Sequence, residues 1–311
     1  MAALQAVFRR PAADADYTSR SRFRSNGVVL GVIGLMLVMA AGIGNLVAVG
    51  DVGEDGTRLR STLAWTFGIT TLGLVTLKLG IATVLMGIIV RLWMRVESVK
   101  TALLTLRKDV DPQLRTGDIT TEYGAGVASA TVPEPLPIHR MARALWLPML
   151  VMGAMAVVIG TVLSLIQVGT EDGTDFVRLS AWTQGVQFMG EGLVLSGISF
   201  LLGTILASLR SGGGEVQESL GVTVKTLKMP LSAKIFVALM ATGMMLAIAQ
   251  FVLYIVAAEV DSPAAWFAWL GPLRELALGL LLAGIVLALY TIGTVLGFQF
   301  SRLRELVVEG N

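Results

Sequence analysis

Six stretches of the chain are apolar almost without interruption: 27–49, 65–90, 146–168, 181–207, 234–258 and 266–298. Each is built mainly from Leu, Val, Ile, Ala, Gly and Met. Each also reaches the roughly 20 residues that a helix needs to cross a hydrocarbon core of about 30 Å. None alternates with period two, as a transmembrane β-strand would. Lipid cannot satisfy open backbone groups, so helices are the spanning elements this pattern predicts. The expectation is an all-α integral membrane protein with six transmembrane helices.

The polar segments between spans alternate in character. Residues 50–62, 169–180 and 259–265 are short and acidic, holding Asp51, Glu54, Asp55, Glu171, Asp172, Asp175, Glu259 and Asp261. Three arginines, Arg58, Arg60 and Arg178, accompany them, whereas nineteen Lys and Arg flank the other ends of the spans. By the positive-inside rule, both termini are expected in the cytoplasm. The chain then divides into a tail (1–26), a hairpin (27–93), a connector (94–143), a second hairpin (144–210), a connector (211–232), a third hairpin (233–300) and a tail (301–311). In the first connector, Val96, Val99, Leu103 and Leu106 predict an amphipathic extension of the second helix. Residues 109–139, with Gly124, Gly126, Pro133, Pro135 and Pro137, predict a flexible linker. Gly212, Gly213 and Gly214 predict a break after the fourth span.

The hairpins read as copies of one unit. Glu54, Asp55, Gly56, Thr57, Ala64, Trp65, Thr66 and Gly68 return 117 residues later as Glu171, Asp172, Gly173, Thr174, Ala181, Trp182, Thr183 and Gly185. The offset persists into the helix, where Gly73, Gly80 and Ile81 match Gly190, Gly197 and Ile198. A fainter third copy runs from Ala268 and Trp269 to Gly284 and Ile285. These matches predict three pseudo-repeated two-helix hairpins. Trp65, Trp182 and Trp269 are expected as anchors at the membrane interface, where an apolar ring with a polar N–H is favoured. Gly80, Gly197 and Gly284 are expected to let a neighbouring helix approach closely. The Glu-Asp-Gly-Thr turns read as solvent-facing turns, without the ligand alternation of a calcium loop.

Composition narrows the function. The chain is 54% hydrophobic and 15% charged, against about 45–50% and 25% in soluble domains. An ordinary soluble enzyme, a disordered protein and a nucleic-acid binder are thereby set aside. There is no cysteine and a single histidine, His139, so thiol chemistry and Cys-based metal sites are excluded. His139 has no neighbours that would make a metal set, and the 14 methionines read as packing residues. No metal, no cofactor and no catalytic constellation are expected, and the chain reads as a non-enzyme. The excess of Arg over Lys suggests a GC-rich bacterial source, and hence the inner membrane.

Lys78, Glu191 and Glu275 are ionisable residues that fall within apolar stretches. Charges in a bilayer are costly and face a bundle interior or a cavity. Relative to the repeat Trp they lie at +13, +9 and +6, roughly one face of equivalent helices at about 100° per residue. They are the intramembrane polar candidates, either as an ion pair that fixes helix register or as part of a polar pathway. Two functional expectations follow. The first is a non-catalytic inner-membrane subunit or scaffold, packing in the bilayer and docking a protein partner or a second copy of itself. The alternative is a small-solute or ion transporter that uses Lys78, Glu191 and Glu275. Lipid or quinone binding stays open, since such a site needs only an apolar cleft and a polar handle.

Overall fold

A computed structural model describes residues 18–50, 56–106, 126–129, 137–170, 173–260 and 264–309. Among these, six helices form the body: α1 (Thr18–Gly50), α2 (Gly56–Leu106), α3 (Pro137–Val168), α4 (Thr174–Ser219), α5 (Leu231–Ala258) and α6 (Ala264–Glu309). All six are long and apolar enough to cross a membrane, and the chain is a multi-pass membrane protein. Two short strands, β1 (Val127–Ser129) and β2 (Lys225–Leu227), pair antiparallel between the helical connections. The acidic residues at 51–55, 171–172 and 261, and most of the linker 109–139, lie outside the described residues. So do the side chains of the amphipathic stretch 94–106, although its backbone continues α2 without a break.

The helices differ in length in a regular way. α1, α3 and α5 have 33, 32 and 28 residues, whereas α2, α4 and α6 have 51, 46 and 46. At 1.5 Å per residue the longer set reaches about 69–77 Å, more than twice the hydrocarbon thickness. α2 leaves its apolar span at Val90 and runs on to Leu106. Each long helix packs against the short one before it, and α4 also touches α2, α3, α5 and α6. α4 is accordingly the central helix: 72% of its apolar window is buried, against 17–33% in the others. The peripheral helices leave apolar side chains such as Val28, Met36, Met155, Met245 and Val286 exposed, a surface suited to lipid.

Small residues set the crossing points. A Cβ placed on Gly34 would lie 2.6 Å from the Gly73 carbonyl oxygen. One on Gly153 would lie 2.7 Å from that of Gly190, and one on Gly243 would lie 3.2 Å from that of Ala277. Gly73, Gly190 and Ala277 each stand eight residues beyond the Trp of their helix. Without a hydrophobic force between helices in lipid, such close backbone contact supplies dispersion energy that larger residues would forfeit. A hydroxyl adds a tie between hairpins: Ser164 on α3 donates to the Ala64 carbonyl on α2, while Thr161, which donates to the Val157 carbonyl at 2.8 Å, comes within 3.4 Å of the Gly68 carbonyl.

Two expectations need correction. Gly212, Gly213 and Gly214 are not a break, because α4 runs through them to Ser219. A Cβ on Gly213 would fall on the end of the flexible Gln299 side chain of α6, which would have to turn aside. The second correction concerns the linker 109–139. Part of it, β1, is a strand held to β2, and His139 sits in the first turn of α3.

Candidate functional site

The interior holds one charge cluster deep among the spans. Glu191, on central α4, is 2% exposed and accepts from two cations. Lys78 Nζ on α2 reaches Oε1 at 2.7 Å, and Arg274 Nη2 on α6 reaches Oε2 at 3.0 Å. One carboxylate therefore joins the long helices of all three hairpins. The Arg274 guanidinium also lies over the Phe67 ring of α2, 5.6 Å from its centroid, which gives a desolvated cation a favourable π-face.

Sequence reasoning brought Lys78 and Glu191 together and misplaced the third member. Glu275 is exposed and stands outside the cluster; its neighbour Arg274 occupies the inner face instead. The signal was present in the register. Arg274, Glu191 and Lys78 lie five, nine and thirteen residues beyond Trp269, Trp182 and Trp65. Steps of four residues are about one helical turn, so the three side chains stay on one face at descending depths.

The other candidates are spread along the helices. Trp65 is half-buried against α1, where a Cβ on Gly44 would lie 2.8 Å from its ring. Trp182 is half-buried, and Trp269 is exposed and tilted against Trp266 at 5.6 Å between centroids. All three lie near the hairpin-turn ends of their helices. A Cβ on Gly80 would lie 2.7 Å from the Gly27 carbonyl oxygen, and one on Gly197 would lie 3.0 Å from that of Trp146. Gly284 has only ordinary contacts, at 3.7 Å.

Polar groups extend from the cluster toward the turn end. Thr183, Gln187 and Glu191 succeed one another at four-residue intervals on α4, and all three are buried. The Gln187 amide finds no hydrogen-bond partner. Beside them, Gln250 Nε2 donates to the Leu270 carbonyl, and the Tyr254 hydroxyl donates to Gln184 Oε1 at 3.4 Å. Gln184 in turn lines a cleft of about 460 Å³ between α2, α3 and α4, whose wall also includes Phe67.

A second polar network lies at the opposite, connector end. Arg302, 1% exposed, donates to Gln217 Oε1 at 2.9 Å, to the Thr223 carbonyl at 3.0 Å and to Glu305. Lys225 Nζ reaches Glu305 Oε1 at 2.7 Å. Gln217 completes the set by donating to the Lys225 carbonyl at 3.0 Å and accepting from its N–H at 2.8 Å. The last turns of α4, strand β2 and the last turns of α6 are thus fastened together. Composition gave no hint of this network, because its parts are about 80 residues apart.

No family model, curated protein or solved structure matches this chain. Among the described residues, no group of acidic or histidine side chains is arranged to hold a metal ion.

Proposed function

We propose that this protein is a non-catalytic membrane subunit or scaffold of the bacterial inner membrane, with both termini and the connector end in the cytoplasm. One observation carries the reading: the three long helices are tied together at one level, two of them again at a second, and all three continue past the apolar layer. Glu191 joins them within the bilayer, and the Arg302–Glu305–Lys225 network fastens α4 and α6 beyond it. A stiff helical projection whose flanking segments carry most of the chain's Lys and Arg, nearly balanced there by Asp and Glu, offers a mixed-charge surface for docking a partner protein. The pseudo-threefold repeat belongs to the same reading. It is supported by the shared eight-residue distance from Trp to crossing point in each hairpin, and by the alternation of short and long helices.

The test is the mass of the protein extracted at its natural expression level in mild detergent. A stoichiometric protein partner, or a defined homo-oligomer assembled through the projection, is expected. A partner-free monomer would contradict the reading. A second reading, transport of a small solute or ion, is favoured by the line of buried polar groups from the cleft to Glu191. Solute flux in proteoliposomes that is lost on Thr183→Val would bring it to the front.

A further inference from the structure

The turn-end cleft differs from the rest of the interior because its walls carry hydrogen-bonding groups and no charge. Thr66, Thr70, Gln167, Ser180, Thr183 and Gln184 line it, with Leu63, Phe67 and Phe176 as apolar flanks. Several of these groups are already committed. Thr66 donates to the Thr62 carbonyl at 2.7 Å. Gln184 spends its amide N–H on Ser180 Oγ at 3.1 Å and its oxygen on Tyr254. Because Ser180 accepts there, its own proton remains to be donated. Thr183 is 1% exposed and its buried hydroxyl has no partner. An orphaned hydroxyl in such a place calls for a ligand or water to satisfy it. Ser180, Thr183 and the Gln167 amide therefore leave hydrogen-bonding capacity, donors among it, for a ligand in the cleft.

The charge behind the Phe67 wall is positive on balance. Phe67 is shared between the cleft wall and the Arg274 guanidinium. The cluster beyond it sets two cations against one carboxylate, and Arg274 Nε is buried without an acceptor. The surplus positive charge behind the wall selects a negatively charged ligand, and the hydroxyl and amide donors of the wall can meet its acceptor oxygens. We propose that this cleft binds an anionic phosphate or carboxylate headgroup, held by Ser180, Thr183 and Gln167 and attracted by the Lys78–Glu191–Arg274 cluster. The apolar flanks accommodate the part of the ligand that carries the headgroup. The headgroup comes from a membrane phospholipid or from a free solute, and the proposal stands apart from the scaffold reading.

The test uses the purified full chain and two probes. The first is phosphatidylglycerol, offered in phosphatidylcholine nanodiscs and followed by native mass spectrometry. The second is glycerol phosphate, titrated calorimetrically against a glycerol control. Saturable binding of one molecule is expected for at least one probe. Ser180→Ala and Thr183→Val should each weaken it about tenfold, the loss of one charge-assisted hydrogen bond, while unfolding at the parent's temperature. Retained phosphatidylglycerol without glycerol phosphate binding assigns a lipid headgroup, and binding of glycerol phosphate assigns a free solute. Equal binding of glycerol or phosphatidylcholine, or binding unchanged in the double variant, overturns the proposal. These readouts need no protein partner, so they fail or succeed independently of the scaffold test.

Discussion

Glu191 decides the energetics of the interior because one carboxylate serves two cations. Removing either cation leaves a balanced pair, whereas removing the carboxylate leaves two unmatched positive charges among apolar helices. Breaking a buried ion pair by deleting one partner costs about 3–5 kcal/mol. Glu191→Gln should therefore cost at least that much, and Lys78→Met distinctly less, close to the loss of about 1.5–3 kcal/mol for a charge-assisted hydrogen bond. Thermal unfolding in detergent, together with folded yield, measures the order; equal losses for the two substitutions would contradict the shared carboxylate. Lys78 and Glu191 were legible in the sequence because each interrupts a long apolar run. Arg274 was not, because it stands directly beside Glu275, five residues past Trp269, and hydropathy does not tell which of two adjacent charges turns inward. Only the four-residue stagger against the three tryptophans separates the inward Arg274 from the exposed Glu275.

At the scale of the helix, hydropathy located all six spans, since length and apolarity are local properties. It did not locate their ends. Helix α4 continues through Gly212, Gly213 and Gly214, and at Gly213 the missing side chain leaves room for the Gln299 side chain of α6. Propensity alone argues against a run of three glycines in a helix; tertiary packing reverses that outcome. The same logic separates the glycines that matter from those that do not. Gly190→Ala would place a Cβ 2.8 Å from the Gly153 carbonyl and force α3 and α4 apart. Overpacking of this kind costs about 1–3 kcal/mol. Gly279→Ala, with nothing within 4 Å, should leave stability within about 0.5 kcal/mol of the parent. Parallel melting of the two variants checks the contrast, and an equal effect would mean that the α3–α4 crossing is looser than its geometry.

For the molecule as a whole, the uneven placing of Lys and Arg between the turns and the connectors is visible in the sequence, because it is carried by composition. The Arg302–Glu305–Lys225 network is not, because it joins residues far apart in sequence on polar segments that look ordinary one at a time. Arg178 and Glu259 pair in the same long-range way at the turn end, linking α4 to the residue that follows α5, at 2.7 Å on the exposed surface. Such an exposed pair contributes little stability, about 0–1 kcal/mol, so the fold rests on the buried ties instead. Both the docking projection and the turn-end cleft take their biological meaning from which side of the membrane each faces. The chain has no cysteine, so single introduced thiols report sidedness without background. Thr174 and Lys228 are exposed at opposite ends, and the most direct test labels Thr174→Cys and Lys228→Cys in intact cells with a membrane-impermeant maleimide. The account predicts that Thr174→Cys labels from outside and Lys228→Cys only after permeabilisation; the reverse pattern would contradict it.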